Sequence, residues 1–317
     1  MANDLSPRTL MEAIRHFSRP GVALDYVAKL RWPHGPVCEK CGLTGDDIIF
    51  LKAAQRWKCR GCKNQFSVKR GSIMEDSPLS LDKWLCAIWM IANCKNGVSS
   101  YEVHRALGIT QKSAWFMLHR VRTAMENKSL EKMSGPVEVD ESYFGGKVPN
   151  MSKEKRKRKG VTGRGTIGKA VVMGILERGG NVRASIVADT KGTTLVSHVS
   201  DNVKDGARVF TDSHAAYLNL RGRYDHESVN HVMEEYVRGE VHTNGIENFW
   251  ALLKRGLHGT YVNVEPFHLV RYLDEQVFRF NRRKGTDASR FNLLLSKLAG
   301  KRLTYAALTG GMEPQTC

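Results

Sequence analysis

The chain is 317 residues long, 41% of them hydrophobic, and it carries 49 Lys and Arg residues against 32 Asp and Glu residues. This length is sufficient for a buried core and predicts two or three domains. The formal net charge of +17 predicts a polyanionic partner, and an ordinary basic soluble protein is the alternative. The sequence shows neither the roughly 20 apolar residues of a membrane span nor an export signal, so we expect a cytoplasmic protein without a membrane segment.

Composition and pattern divide the chain into five predicted segments. They are an N-terminal helical segment, a metal-binding ribbon, a helical DNA-binding segment, a larger α/β domain and a C-terminal extension, over residues 1–33, 34–76, 77–133, 134–285 and 286–317. Pro20-Gly21 interrupts the helical pattern of the first segment. Ser134-Gly135-Pro136 marks the point at which helices give way to strands.

Four cysteines have the spacing of a zinc site. Cys38 and Cys41 form one Cys-x-x-Cys pair, and Cys59 and Cys62 form a second pair after seventeen intervening residues. Four thiolates around one zinc ion leave no open position, so the predicted zinc site is structural. Residues 48–51 and 55–58 are predicted to form the two strands of the ribbon. A redox pair or a disulfide frame is the alternative, which a cytoplasmic setting disfavours.

Residues 80–126 have the pattern of three helices. Ser99 and Glu102 form a capping box at the start of the second helix, which is predicted to end at Leu107-Gly108. Thr110 is the predicted cap of the third helix. A short helix, a turn that contains Gly and another helix are typical of a helix-turn-helix, while a three-helix spacer is the alternative.

Two groups of basic and polar residues are predicted to bind DNA. In the helix-turn-helix, Gln111, Lys112 and Ser113 are expected to meet a DNA groove, and Arg120 and Arg122 to reach phosphates. A second group lies in a predicted loop from Gly146 to Gly165. A run of like charge is usually disordered until it meets an anion, and a solvated surface loop is the alternative. The run in this loop consists of Lys155, Arg156, Lys157, Arg158 and Lys159.

The α/β domain has the element order of a ribonuclease-H-like core. The predicted order is a strand at 137–143, a hairpin at 169–177 and 181–188, a helix at 193–203, a strand at 208–211 and a long helix at 244–255. We therefore expect a ribonuclease-H-like mixed sheet, preceded by the zinc ribbon and the helix-turn-helix.

Three carboxylates are placed to hold divalent metal ions. Asp140 lies on the first predicted strand, Asp212 ends a later strand, and Glu247 lies on the long helix with Lys254 two turns further along the same face. Two-metal phosphoryl transfer requires acidic ligands that converge from separate elements. We predict that the three acids bind two ions, and that Lys254 holds a phosphate.

Each of these residues also has an ordinary structural interpretation. Asp140 would be a turn acid, with Glu138 on the same strand face as its main rival for the metal. Asp212 would cap the helix that follows it. Glu247 and Lys254 would be a solvated pair.

Several motifs together resemble one known family. They are Cys-x-x-Cys-Gly, Trp-x-Cys-x-x-Cys, Asp140-Glu-Ser-Tyr-Phe-Gly-Gly-Lys147, Phe210-Thr-Asp-Ser-His-Ala-Ala-Tyr217 and His242-Thr-Asn-Gly-Ile-Glu-Asn-Phe-Trp-Ala-Leu-Leu-Lys-Arg255. From about residue 10 to about residue 285 the chain resembles the DDE transposases of insertion sequences of the IS1595 family.

The resemblance implies a catalytic triad of Asp140, Asp212 and Glu247, with Lys254 as the accompanying positively charged residue and Asn244 or Asn248 as neighbouring alternatives to Glu247. It also implies two Mg²⁺ or Mn²⁺ ions, terminal inverted repeats as the bound DNA and a multimeric synaptic complex. The expected reaction is cleavage at the transposon ends followed by 3′-hydroxyl strand transfer. The alternatives are a nuclease that cuts without joining and a zinc-ribbon DNA-binding regulator.

Overall fold

The computed structural model describes residues 7–127, 129–145, 153–160, 168–229, 237–262 and 264–310. The chain folds into two compact units, of which unit 1 comprises Met1–Met125 and Lys284–Cys317, and unit 2 comprises Glu126–Arg283. Residues 286–310, which the sequence suggested as part of a separate extension, therefore pack within the unit that holds the ribbon.

The helices and strands follow the predicted order closely. In chain order the helices are α1 (Leu10–Phe17), α2 (Val22–Arg31), α3 (Leu81–Asn93), α4 (Ser100–Leu107), α5 (Gln111–Met125), α6 (Lys153–Lys159), α7 (Gly192–Asn202), α8 (Asn244–Arg255), α9 (Leu269–Asn281), α10 (Asp287–Ser296) and α11 (Tyr305–Leu308). The strands are β1 (Ile48–Leu51), β2 (Arg56–Cys59), β3 (Gln65–Phe66), β4 (Val137–Phe144), β5 (Ala170–Glu177), β6 (Val182–Val187), β7 (Arg208–Asp212) and β8 (Asp225–Val229).

Unit 1 has an aromatic core beside its ribbon. Phe291 of α10 is fully buried, and its ring centroid lies 5.9 Å from that of Phe17 and 4.9 Å from that of Trp89. In the ribbon, β1, β2 and β3 form an antiparallel sheet, and Trp57 of β2 packs edge-on against Trp32 at 5.0 Å. These contacts join the C-terminal helix α10 to α1 and α3.

The predicted helix-turn-helix has the expected local structure. The capping box at the start of α4 is formed, with the Ser99 hydroxyl accepting from the Glu102 backbone and the Glu102 carboxylate accepting from the Ser99 backbone. Helix α4 ends at Gly108, whose φ of +59° is a left-handed conformation that glycine adopts without steric cost. Thr110 then caps α5 by accepting from the Ser113 backbone N–H.

Unit 2 is a five-stranded mixed sheet covered by helices. The strand order is β6-β5-β4-β7-β8; β4 pairs with β7 and β7 with β8 in parallel, and the other pairs are antiparallel. Strands β4, β5 and β6 form the antiparallel part of this sheet, β7 and β8 extend it in parallel, and the predicted ribonuclease-H-like fold is confirmed. Strand β8 and the basic helix α6, which lies where a loop was expected, are additions to the prediction. Residues 146–152 and 161–167 of that loop lie outside the described residues.

The alternation of side chains on β4 separates the core from the acidic face. Val137 and Val139 point to one face, where they pack with Leu195 and Val199 of α7. Residues at odd and even positions of a strand face opposite sides, so Glu138 and Asp140 face α8, and both accept hydrogen bonds from it. Helix α8 approaches the sheet closely at Gly174, where a Cβ atom would lie 2.7 Å from the Trp250 side chain. In the described part of the chain, no helix is long and apolar enough to cross a membrane.

Candidate active site and metal centres

The four cysteines of the ribbon converge on one point. The Sγ atoms of Cys38 and Cys62 lie 3.5 Å apart, as do those of Cys41 and Cys59, and all four Sγ atoms lie within 4.8 Å of one another. A tetrahedral zinc ion with Zn–S bonds of about 2.3 Å requires sulfur atoms a little under 4 Å apart. The geometry therefore fits the predicted four-thiolate zinc site.

Backbone turns hold the first pair of thiols in position. The Cys38 backbone N–H donates to the Leu43 carbonyl at 2.9 Å, and Gly42 donates to the Cys38 carbonyl at 2.8 Å with a φ of +77°. Although burial of the Cys38 thiol opposes it, hydrogen bonds from the backbone of Lys40 and Cys41 lower the pKa of Cys38 to about 6. Although a backbone hydrogen bond from Leu43 opposes it, hydrogen bonds with the neighbouring thiols, first that of Cys62, raise the pKa of Cys41 to about 12. The thiolate is the form that binds a metal ion, so ligation by all four cysteines requires the loss of their protons.

The residues at the start of α5 remain on the surface of unit 1. Lys112 is exposed, while the Gln111 side-chain amide donates to the Ser100 hydroxyl at 2.9 Å and the Ser113 hydroxyl accepts from Thr110 at 2.9 Å. Lys112 therefore has the access that a DNA contact requires, while Gln111 bonds to the start of α4 and Ser113 to the cap of α5.

The two arginines further along α5 are not available to DNA. Arg120 is 4% exposed and Arg122 is 1% exposed. The Arg120 guanidinium donates to the Glu75 carbonyl and lies over the rings of Trp84 and Phe116. The prediction that Arg120 and Arg122 reach phosphates is therefore wrong, because tertiary packing places both guanidinium groups inside unit 1.

Adjacent strands bring Asp140 and Asp212 near one another in unit 2. Strands β4 and β7 are paired in parallel, with Val137 beside Val209 and Glu138 beside Phe210. Asp140 and Asp212 each lie two residues beyond the last paired positions of these strands, and their carboxylates are close enough for their charges to interact. Two acids that are far apart in the sequence are thus brought together by adjacent parallel strands.

The charge around Asp140 is that of a site for a cation. Burial, followed by the neighbouring charges of Glu141 and Asp212, raises the pKa of Asp140 to about 7, although a hydrogen bond from Trp250 opposes this shift. The Trp250 indole N–H donates to Asp140 Oδ2 at 2.9 Å. Because nearby carboxylates repel one another in their charged form, a divalent cation would be favoured between Asp140 and Asp212.

Glu141 is an additional acid of β4 near Asp140 and Asp212. It accepts a hydrogen bond from the hydroxyl of the fully buried Tyr217. Burial, and then the charge of Asp212, raises the pKa of Glu141 against the effects of Tyr217 and His214. The Asp-Glu dipeptide at 140–141 is the sequence feature that could have indicated Glu141 as a site residue. Strand alternation alone, however, places Glu141 on the opposite face from Asp140. The end of β7 brings Asp212 near both.

Glu247 lies on the helix that contacts Asp140, but it does not complete a three-ligand cluster among the described residues. It is exposed, and its Oε1 accepts from the Thr243 hydroxyl at 2.7 Å. Trp250, which contacts Asp140, lies one helical turn after Glu247, and residues three apart on a helix are neighbours. Among the described residues, the ribbon cysteines form the only group of three or more metal-ligand side chains whose ligand atoms lie within 4.8 Å.

Glu138, the rival ligand on β4, has another role. It is 1% exposed, its Oε2 accepts from the Ile246 backbone N–H at 2.9 Å, and its Oε1 accepts from Arg178 at 2.9 Å. Both oxygens are therefore engaged in holding the first turn of α8 against the sheet. The interactions of Glu138 are those of a structural residue, and they leave Asp140 as the acid of this strand face that is near Asp212.

The remaining predicted residues lie on helices α8 and α6. Lys254 is exposed two turns after Glu247 on α8. In α6, Lys157 is exposed and Arg156 is half-buried. The side chains of Lys155, Arg158 and Lys159 lie outside the described residues.

Together these features define a ribonuclease-H-like protein with an N-terminal four-cysteine ribbon. Residues 132–281 match the ISXO2-like transposase domain, and residues 21–65 match the transposase zinc-ribbon domain. The chain belongs to the IS1595 transposase family. It is also 26% identical over 258 residues to an uncharacterized protein in transposable element ISH50 of Halobacterium salinarum, covering 78% of this chain and 86% of the relative.

Proposed function

We propose that this transposase cuts DNA at the ends of its element and joins the resulting 3′-hydroxyl to target DNA. The observation that carries the proposal is that Asp140 and Asp212 lie toward the same end of two adjacent parallel strands, close enough for their charges to interact. The family match and the net charge of +17 support DNA as the substrate.

Asp140 and Asp212 fit a divalent cation, since Asp140 is largely buried beside other acids and its pKa is raised. We assign Glu247 as the third ligand because it lies one turn from Trp250, which contacts Asp140. Two Mg²⁺ or Mn²⁺ ions held here would activate the attacking oxygen and stabilise the leaving oxygen. Trp250 orients the Asp140 carboxylate, and Lys254 and the cations of α6 hold the DNA backbone.

In unit 1, the ribbon holds one structural zinc ion and, with the helix-turn-helix, binds the element ends. Zinc holds the two Cys-x-x-Cys turns together, and Lys112 is an exposed cation at the start of α5. We propose that the protein acts as a homo-oligomer that brings two ends together.

A strand-transfer assay tests the proposed reaction. The full-length protein is incubated with Mg²⁺, a supercoiled target plasmid and a labelled duplex from the DNA that flanks the coding region, cut to expose a 3′-hydroxyl. A transposase gives labelled plasmid, and a blocked 3′ end abolishes that product. Metal-dependent cutting without joined product would indicate the nuclease alternative, and DNA binding without cutting would indicate the regulator.

A further inference from the structure

An alternating stack of cations and aromatic rings runs along one face of α5. Lys112, Phe116 and Arg120 are spaced by four residues, so they share this face. The Arg120 guanidinium lies 5.7 Å from the ring centroid of Trp84 and 5.0 Å from that of Phe116. Tyr305 of α11 continues the stack, because its ring centroid lies 5.5 Å from that of Phe116 and 4.6 Å from Lys112 Nζ.

The stack passes from the interior of unit 1 to its surface. Trp84 is 1% exposed, whereas Tyr305 is 39% exposed and Lys112 is exposed. The outermost cation of α5 is thus held by a ring that comes from the C-terminal part of the chain. Residues 284–310 lie outside the ranges matched by the transposase domain and the zinc-ribbon domain.

The chain that carries Tyr305 is fixed to unit 1 at several points. The Gly300 backbone N–H donates to the Gly71 carbonyl at 2.8 Å, and the Lys301 ammonium donates to the Thr123 carbonyl of α5 at 2.6 Å. Leu308, at the end of α11, is fully buried. Tyr305 is therefore presented by a supported segment, which we name the C-terminal strap and define as residues 298–308.

The position of Lys112 in α5 makes the contact with Tyr305 favourable. Lys112 lies in the first turn of α5, where the helix dipole disfavours a cation, and α5 has no acidic residue in that turn. An ammonium group over an aromatic ring is attracted by the ring quadrupole. Tyr305 offsets the unfavourable dipole and limits the positions of a long flexible side chain.

We propose that the C-terminal strap is part of the DNA-binding surface of unit 1, with Tyr305 as the positioning residue that holds Lys112 toward the DNA. The inference rests on the proposed DNA-binding role of the helix-turn-helix. Double-stranded DNA is the partner because the surface presents a cation and an exposed ring at the start of the second helix of that motif, the part that meets base edges and phosphates.

Fluorescence anisotropy with full-length protein and labelled duplexes from the DNA flanking the coding region tests this assignment across a series of salt concentrations. Tyr305→Ala should weaken binding about two- to five-fold, the range of an exposed cation–π contact. Lys112→Ala should reduce the slope of log affinity against log salt by about one. In the Lys112→Ala background, Tyr305→Ala should cause little further loss of DNA affinity. Tyr305→Phe, which retains the ring, should bind DNA as the wild type does. Unchanged thermal unfolding and zinc content establish that each variant is folded.

Three results would overturn the inference. Wild-type DNA binding by Tyr305→Ala, together with weakened binding by Lys112→Ala, would exclude the strap from the DNA-binding surface. The DNA-binding role of the helix-turn-helix would still stand. Equal losses from Tyr305→Ala with and without Lys112 would show that the ring does not act through that lysine. A changed oligomeric state of Tyr305→Ala in gel filtration without DNA would assign the surface to a protein contact. Strand transfer from a pre-cut end tests the proposed function separately.

Discussion

Arg178 forms a 2.9 Å salt bridge with the buried Glu138 and fixes the start of α8 against the sheet. The same guanidinium donates to the backbone carbonyls of Glu240 at 2.7 Å and His242 at 2.9 Å, and it lies 4.2 Å from the ring centroid of Phe210. One side chain thus joins the strand of Asp140, the strand of Asp212 and the segment that leads into the helix of Glu247.

Replacing Arg178 with Met should lower the free energy of unfolding by about 3 kcal/mol, because the buried Glu138 carboxylate would lose its permanently charged partner. Arg223→Met is the matched control. Arg223 forms an exposed 2.8 Å pair with Asp205 on the surface of unit 2, and such a pair contributes roughly 0–1 kcal/mol. Urea unfolding followed by circular dichroism measures both losses. Equal losses for the two variants would contradict the role assigned to Arg178.

Asp140→Asn and Asp212→Asn should each abolish cleavage and strand transfer in Mg²⁺ while DNA binding is retained, because an amide is a much weaker ligand for a hard cation than a carboxylate. Gel assays of labelled flanking DNA measure cutting and joining. Asp201→Asn changes an exposed acid of α7 in the same way and should remain active. Substantial cutting by either of the first two variants would remove that residue from the site.

Cys59→Ser should lose bound zinc and specific DNA binding together, because the closed site needs four thiolates. Cys86→Ser is the control, since Cys86 is a buried thiol of α3 outside the cluster. Metal analysis of the purified proteins and anisotropy titrations give the two readouts. A zinc-free Cys59→Ser protein that binds the flanking DNA with full affinity would contradict a structural role for the metal.

The reactivity of the thiols in unit 1 provides an independent check of its packing. Burial, and then the charge of Asp82, raises the pKa of Cys86 to about 11, whereas Cys94 is exposed. At pH 8 about one Cys86 thiol in a thousand would be ionised, and only the thiolate reacts. Iodoacetamide labelling followed by peptide mass spectrometry should therefore modify Cys94 well before Cys86. Similar rates in the folded protein would show that α3 is not packed as described.

The cations of α6 should contribute to DNA affinity through phosphate contacts. Lys153 and Lys157 are both exposed and lie four residues apart on one helix face. Replacing both with Ala should reduce the slope of log affinity against log salt by about two. Glu154→Gln, which leaves the number of cations unchanged, should preserve the slope. An unchanged slope in the double variant would place α6 away from the bound DNA.

Local signals predicted much of this fold. The helix at 244–255 has the predicted limits, and the capping box at Ser99 and Glu102 forms as expected. The cysteine spacing also predicted the convergence of the four thiols. In each case a few neighbouring residues, or one ligand geometry, determine the structure.

Features that depend on distant chain segments were not predictable in this way. Arg120 has the helical spacing of a surface cation, but Trp84 and the chain around Glu75 enclose it. Helix α6 is built from charged residues without an apolar face, so hydrophobic periodicity gave no helical signal. Strand β8 is a short edge strand of mostly polar residues. Its pairing with β7, which its own sequence does not indicate, stabilises the extended conformation.

The path of the chain also sets the order in which the protein can mature on the ribosome. Helices α10 and α11 are synthesised only after the whole of unit 2, yet Phe291 of α10 fills the space between Phe17 and Trp89. Until α10 emerges, that apolar surface of the nascent chain is exposed to solvent and is therefore prone to chaperone binding or aggregation. The sheet of unit 2, whose residues are contiguous in the sequence, meets no such delay and can form first.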